Sequence, residues 1–364
     1  MKKLKVNLGE RSYSIIIGKG CLTKLKGIVK KLKLGKVIAV VTNPTINRLH
    51  GALMQKALRG SAAEVHFVEV PDSEESKSAQ VCISLIERFA ELDRGKGLSL
   101  IAFGGGVIGD LTGFCASVYR RGIPYIQVPT TLLAQVDSSI GGKTAIDLAS
   151  AKNLIGSFYQ PRLVLSELRF LSSLPEAQIK EALAEIIKYA IIADSRLFQF
   201  LEKNLEAILA LEQKKIEYIV ETCCRIKANV VEQDETDKKD KRIILNFGHT
   251  TAHALEAAAG YGEDYTHGYS VALGILVACE IARELKLIHG KAAERIEALI
   301  ARAGLPTKIS QLKLEDILKA QAHDKKFIGG KNRFVLPLAI GKTVVRENVS
   351  KTTIVKAIKS KMGR

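Results

Sequence analysis

Four residues in the second half of the chain have the types and spacing to hold a cation. His249 and His253 are four apart at the start of an expected helix, so they share one face. Thr250 stands where an H-E-x-x-H motif needs glutamate, so this is not a zincin pattern. His267 follows in Tyr265-Thr266-His267-Gly268, just before another expected helix. Glu185 lies in Ala184-Glu185-Ile186-Ile187-Lys188, an acid in an apolar helical run, costly to bury unless paired or bound to metal. Two histidines and one carboxylate with open positions suit a catalytic Zn²⁺. Surface histidines and an ordinary helix ion pair account for the same spacing, and spacing alone favours that plainer account.

A second constellation sits upstream. The apolar run 98–103 leads directly into Gly104-Gly105-Gly106, then Gly109-Asp110 and a helix-like segment. A glycine turn at a helix N-terminus lets backbone N–H groups approach a phosphate, and a pyrophosphate is the obvious guest. The spacing is not G-x-G-x-x-G and follows the third strand, so a tight turn with positive φ stays level with it. Pro71-Asp72-Ser73-Glu74-Glu75-Ser76-Lys77 follows the second strand, where a carboxylate can accept from ribose hydroxyls. A helix N-cap by Asp or Ser is the stronger local account.

These residues need elements to hold them. Residues 3–18 alternate around Gly9-Glu10, which predicts a β-hairpin. Apolar, β-branched runs at 36–42, 64–70, 98–103 and 125–128 alternate with helical spacing at 49–58 and 81–92. That order predicts a parallel sheet covered on both faces. After about Pro175 the pattern is helical: 176–211, 216–232, 250–259, 271–287 and 292–303, with Gly304-Leu305-Pro306 as a stop. The expected architecture is an α/β nucleotide-binding domain over 1–174 and an all-α domain over 175–364, with a ligand cleft between them. The charged run 234–242 reads as a solvated loop.

The length of 364 residues suits two domains and a core that needs no disulfide staples. Lys and Arg number 55 against 38 Asp and Glu, a net charge of +17, which fits an anionic substrate or a lysine-rich surface. Aromatic residues are 5% with no Trp and the lysines are dispersed, so stacking platforms for nucleic acid are lacking. Cys21, Cys82, Cys115, Cys223, Cys224 and Cys279 form no C-x-x-C pair, which suggests reduced thiols and a cytoplasmic location. Asn7, Glu10 and Arg11 interrupt the basic N-terminus before any signal-peptide core, and the apolar stretch 271–279 is too short to span a bilayer.

Taken in order, Gly104 to Asp110, Gly122-Ile123, Val128-Pro129-Thr130-Thr131 through Asp137-Ser138-Ser139-Ile140-Gly141-Gly142-Lys143-Thr144, Lys152-Asn153-Leu154-Ile155-Gly156, 184–189, Lys227-Ala228 and 245–249 closely resemble the 3-dehydroquinate synthases, of the sugar-phosphate cyclase family. The resemblance implies an NAD- and metal-dependent conversion of 3-deoxy-D-arabino-heptulosonate 7-phosphate to 3-dehydroquinate and phosphate, in the shikimate pathway of aromatic amino acid biosynthesis. It implies NAD contacts at Asp72, Glu74, Lys77, Gly105, Gly106, Gly109, Asp110, Thr130 and Thr131. Lys143 and Lys152 would lie where cofactor meets substrate, and Phe170, Leu171, Ser172 and Ser173 would close over the cofactor. Glu185, His249 and His267 would hold Zn²⁺ or Co²⁺. Lys188, Lys227, Arg242, Asn246 and His253 would contact substrate, with Asn153 and a lysine of Asp324-Lys325-Lys326 near its phosphate. His253 is the candidate for proton transfer, with the substrate phosphate as an alternative base. Arg121 matches an arginine lent to the neighbouring subunit, which implies a homodimer.

The chain departs from the family pattern at Ser73, Ser76, Thr251, Tyr269 and the pair Ser166-Glu167. Competing readings are a related cyclase, a metal-dependent polyol dehydrogenase and, from a different class, a basic nucleic-acid-binding protein.

Overall fold

Strand Val37–Thr42 is buried along its whole length, and its side chains divide between two cores. Val37, Ala39 and Val41 pack with Leu98, Leu100, Ala102, Cys82, Leu85 and Phe89. Ile38 and Val40 pack with Ile101, Phe103, Ile126, Val128, Leu25, Val29 and Met54. Successive side chains of a strand point to opposite faces, so an unbroken apolar run is what a sheet covered on both sides requires.

The computed structural model describes residues 1–32, 34–61, 63–148, 151–322 and 332–363. The strands of the first unit are β1 (Lys2–Val6), β2 (Tyr13–Gly18), β3 (Val37–Thr42), β4 (Glu64–Glu69), β5 (Leu98–Gly104), β6 (Tyr125–Pro129), β7 (Lys143–Leu148), β8 (Ala151–Phe158) and β9 (Leu163–Glu167). Its helices include α1 (Leu25–Lys31), α2 (Pro44–Leu58), α3 (Ala79–Asp93) and α4 (Gly106–Val118). A seven-stranded sheet runs β1-β2-β9-β6-β5-β3-β4. β1 pairs antiparallel with β2, as the alternation of 3–18 predicts, and the other pairings are parallel. Sequence patterning does not single out β9 or the β7–β8 hairpin.

The chain then forms α5 (Glu176–Ala193) and α6 (Ser195–Leu209), followed by α7 (Gln213–Gln233). The helix expected over 176–211 is therefore two, divided where the Asp194 carboxylate accepts from the N–H groups of Arg196 and Leu197 at 2.9 and 3.1 Å. After α7 come α8 (His249–Ala258), α9 (His267–Glu284), α10 (Gly290–Arg302), α11 (Leu314–Ala322), β10 (Arg333–Ala339), β11 (Lys342–Glu347) and α12 (Lys351–Lys361).

Two compact units result: Met1–Pro175 with Gln213–Thr236, and Glu176–Glu212 with Asp237–Arg364. The contiguous division at 174/175 thus needs correction, because α7 packs with the first unit. Its apolar face buries Ile216, Ile219, Val220, Cys223 and Cys224, the Cys224 thiol donates to the Gln135 carbonyl at 3.3 Å, and Glu232 accepts from the Asn7 N–H at 2.7 Å. Helical periodicity reports that a face is buried and not what buries it. The second unit is helical but not wholly so, since β10 and β11 form an antiparallel hairpin. No helix among the described residues is long and apolar enough to cross a membrane.

Glu167 ties β9 to the turn that follows β2. Its carboxylate is fully buried and accepts from the N–H groups of Gly20 (2.7 Å) and Leu22 (3.0 Å) and from the Arg169 guanidinium (2.9 Å). Burial raises its pKa, but Arg169 and these N–H groups outweigh burial and hold it below the ordinary value. A folded-state pKa below the unfolded one gives stability that is present above about pH 4.3 and lost as pH falls through the folded value. Glu167→Gln is expected to lower unfolding free energy at pH 7 by about 2–3 kcal/mol. Denaturant melts at pH 7 and near pH 3 should show that gap closing in acid, and an equal gap at both would contradict the account.

Candidate active site

In the second unit, α5 is buried on all sides from Ala182 to Ile192, which places Glu185 and Lys188 inside apolar packing at 0% and 2% exposure. α8 opens at His249 after Gly248, whose φ of 81° only glycine adopts freely. A Cβ at Gly248 would lie 2.9 Å from the Ile275 nitrogen, so α8 and α9 meet too closely there for a side chain. His267 is the first residue of α9.

These elements bring three ligand atoms together. Nε2 of His249 and Nε2 of His267 each lie 3.3 Å from Glu185 Oε1, and one donor atom from each residue lies within 4.8 Å of the others. Both rings are fixed from behind: Nδ1 of His249 is 3.1 Å from the Phe247 carbonyl, and Nδ1 of His267 is 3.0 Å from Glu256 Oε1. If each Nδ1 proton is spent on those acceptors, a neutral ring has no proton left for Glu185. Two lone pairs and a buried carboxylate then converge on one point, which is a donor set for a divalent cation. Lys188 Nζ contacts the other Glu185 oxygen.

Electrostatics follow from this packing. Burial, aided by Lys188, pushes His249 down to about 4, so it is neutral and able to ligate. Burial also opposes charge on His267, but Glu185 and Glu256 outweigh it and bring that ring to about 10. Burial raises Glu185 too, yet Lys188 and His249 outweigh it and hold the carboxyl well below its usual range. A cation entering this set therefore displaces the His267 proton. Glu256→Gln keeps the side-chain shape and removes the charge behind His267. We expect a loss of about 10–100-fold in Zn²⁺ affinity with the helical content unchanged, and competition titration with a chromophoric chelator reads it directly.

The remaining expected residues of this unit are Arg242, buried in the turn Arg242–Asn246, Asn246 at the end of that turn, and His253. The exposed His253 ring stands edge-on to His249, centroids 5.6 Å apart. The i,i+4 pair is thus not the converging pair; His249 converges with His267 from the next helix. Asp324, Lys325 and Lys326 lie outside the described residues.

In the first unit the glycine turn joins β5 to α4. None of Gly104, Gly105 and Gly106 has positive φ, which removes the tight-turn account. Their need is close approach: a Cβ on Gly105 would meet Thr131 Cγ2 at 3.2 Å, and one on Gly106 would meet Ser138 Oγ at 3.3 Å. Gly109 is accounted for by packing, since a Cβ there would lie 3.0 Å from Gln127 Oε1. Thr130 Oγ1 is buried with no hydrogen-bond partner, while Thr131 Oγ1 accepts from the Ala134 N–H at 3.1 Å. A bare helix N-terminus beside an orphaned hydroxyl fits a phosphate-bearing cofactor.

The acidic cluster does not cap α3. Ser78 does, accepting from the Val81 N–H at 3.4 Å, whereas Asp72 accepts from the Asn43 amide at 2.6 Å and Glu74 lies 4.0 Å from Lys152. Lys77 is 4% exposed, and its ammonium contacts Asp110 at 2.8 Å and also the Asn153 side chain. Burial disfavours that charge, but Asp110, Glu74 and Asp147 outweigh it and raise the Lys77 pKa. Asn153 takes a left-handed φ of 55° while its N–H donates to Asp147 at 2.6 Å. Lys143 and Lys152 are exposed.

Lys227, expected on the helical side, lies on α7 and donates to the Asp137 carbonyl at 2.8 Å and to its carboxylate. Asp137 belongs to the π-helical turn Ala134–Ser138, a conformation frequent at functional sites. In the turn 170–173, Phe170 and Leu171 are core residues. That leaves the backbone, Ser172 and Ser173 as the polar groups of this turn, the Ser173 hydroxyl held by His50 Nε2 at 2.7 Å. Sequence reasoning missed Asn43, Asp137, Asp147 and Glu256. Only Glu256, an acid within Ala254-Leu255-Glu256-Ala257-Ala258, carried the same signal as Glu185.

Comparison with known proteins identifies the family. Residues 67–181 match the family model for the 3-dehydroquinate synthase N-terminal region, and residues 182–327 match that for its C-terminal region. A 3-dehydroquinate synthase from Desulforamulus reducens is 42% identical over 355 residues, 97% of this chain and 98% of that one. A 2-deoxy-scyllo-inosose synthase solved with carbaglucose-6-phosphate, NAD⁺ and Co²⁺ superimposes with a TM-score of 0.89 at 27% identity, over 99% of this chain and 100% of that one. A 2-epi-5-epi-valiolone synthase from Streptomyces hygroscopicus subsp. jinggangensis, solved with NAD⁺ and Zn²⁺, shares the fold with a TM-score of 0.87 at 24% identity, over 97% and 98% of the two chains. On the family models and the near-full-length relative, the chain belongs to the 3-dehydroquinate synthase family.

Proposed function

We propose that this protein converts 3-deoxy-D-arabino-heptulosonate 7-phosphate into 3-dehydroquinate and phosphate, as an NAD- and divalent-metal-dependent cyclase of the lyase class. The observation that carries the reading is the convergent Glu185, His249 and His267 set with the Lys188 ammonium against it: donors for a cation beside a charge for an anion.

When bound, NAD⁺ accepts and returns a hydride, and a divalent cation acidifies the alcohol to be oxidised. The chain's residues do the rest. Gly105, Gly106, Thr130 and Thr131 receive the cofactor phosphates; Asp72, Glu74, Lys77, Asp110, Lys143 and the 170–173 turn complete that contact. Glu185, His249 and His267 hold Zn²⁺ or Co²⁺, both suited to two imidazoles and a carboxylate. Lys188, Lys227, Lys152, Asn153, Asn246 and Arg242 bind the substrate's carboxylate, hydroxyls and phosphate, with Arg242 offering the planar fork that a carboxylate matches. His253, exposed beside the ligand set, moves the proton. Arg121 serves a neighbouring subunit in a homodimer. The six cysteines are buried thiols, which suits a cytoplasmic setting.

The test is phosphate release from the heptulosonate phosphate with substoichiometric NAD⁺ and added metal. We expect one phosphate per substrate and no NADH accumulation. Stoichiometric NADH indicates a polyol dehydrogenase instead, and no phosphate release from metal-loaded protein refutes the proposal.

A further inference from the structure

The turn after α4 holds two consecutive residues in left-handed backbone, and neither is glycine. Arg120 has φ 48° and Arg121 has φ 62°. Such conformations cost of order 1–3 kcal/mol each and persist where the surroundings over-determine them. The surroundings here centre on one buried carboxylate at the end of α3. Asp93 is 1% exposed. Its Oδ2 lies 2.7 Å from Arg120 Nε and accepts from the Tyr119 hydroxyl at 3.1 Å, while Oδ1 accepts from the Gly97 N–H at 3.0 Å. The far side of the turn is pinned by Tyr159, whose hydroxyl donates to the Ile123 carbonyl at 2.9 Å.

Arg120 spends its charge on Asp93. Arg121, next to it, is exposed and makes no ion pair among the described residues. The strain is therefore held by one arginine and displays the other.

We propose that Asp93 is a positioning residue: through Arg120 and Tyr119 it locks the 119–121 turn in left-handed backbone, so that Arg121 is presented to the anionic substrate bound by a second copy of this chain. This rests on the reading that Arg121 acts on a neighbouring subunit. Asp93 itself touches no substrate; it acts only by fixing where the guanidinium stands. A bidentate contact to phosphate or carboxylate tolerates little misplacement.

The experiment is a double-mutant cycle on the full-length protein, reading kcat/KM for the heptulosonate phosphate. Asp93→Asn keeps the shape and removes the charge that holds Arg120. Arg120→Ala is a second variant at an exposed site, leaving Asp93 bonded to Tyr119 and Gly97, so folding is not at stake. Each is expected to lower kcat/KM about tenfold in the wild-type background and to cause no further loss once Arg121→Ala is present. Equal losses in both backgrounds make Asp93 a general structural residue and overturn the proposal. Unchanged kcat/KM in Asp93→Asn and Arg120→Ala also overturns it. Unchanged kcat/KM in Arg121→Ala alone removes the underlying reading of Arg121 and the proposal with it, a result distinct from the other two.

Discussion

Glu185→Gln should abolish turnover, by on the order of a thousandfold or more, and excess Zn²⁺ should not restore it. The carboxylate does two things. It is the oxygen on which both Nε2 atoms converge, at 3.3 Å each, and it is the counter-charge for Lys188. An amide keeps the shape and loses both functions. Cation stabilisation of several kcal/mol is removed from the reaction, which sets the rate loss. Lys188, 2% exposed, is also left without its partner, and breaking one side of a buried pair costs about 3–5 kcal/mol. The variant should therefore melt lower than chelator-treated wild-type protein, not merely equal to it. Wild-type protein stripped of metal keeps Glu185 against Lys188 and should recover on adding Zn²⁺ or Co²⁺. A Glu185→Gln protein with near wild-type phosphate release would show that the convergent set is not the catalytic metal site.

How much of this was legible in the sequence depended on whether the signal was local. Glu185 was legible because an acid inside Ala184-Glu185-Ile186-Ile187 has to be compensated, and the structure compensates it from three sides. The glycine turn was legible because a strand, three glycines and a helix start are contiguous in sequence. The choice between its two accounts was not, since it rests on what a Cβ would touch: Thr131 and Ser138 lie 26 and 32 residues beyond the glycines they face, positions that spacing does not connect. Helical spacing puts His253 on the face of His249, but the second converging ring is His267, which the resemblance implied and spacing could not give: it comes from α9, and the packing of two helices at Gly248 brings it there.

Lys227 shows the same limit at the level of the fold. The sequence of α7 is as amphipathic as that of its helical neighbours, and nothing in its period says that its buried face meets β1, β2 and the 134–138 turn. The consequence is chemical as well as topological. The Lys227 ammonium is set by Asp137, a residue of the glycine-turn unit, so both belong to the unit proposed to carry the cofactor. Glu167, one of the chain's departures from the family pattern, is likewise explained by the fold and not by local spacing: its carboxylate meets two backbone N–H groups and Arg169.

Mixing two inactive variants should restore activity. In a homodimer where Arg121 serves the neighbouring subunit, Arg121→Ala protein has sound metal sites that lack the arginine, and His249→Ala protein has the arginine but a broken ligand set. When subunits exchange, the mixed dimer holds one site with its own Glu185, His249 and His267 and with Arg121 from the partner. The other site in that dimer lacks both. Random exchange at equal concentrations makes half of the dimers mixed, each with one of two sites complete, so activity should reach about a quarter of the wild-type value. An arginine acting within its own chain predicts none, because the mixed dimer then leaves one site without Arg121 and the other without His249. The readout is phosphate release after co-refolding, or after co-expression with two different affinity tags and isolation of the doubly tagged dimer. That isolated species should then run at about half the wild-type rate per dimer. With each variant inactive by itself, the result separates a contribution made across the subunit boundary from one made at home.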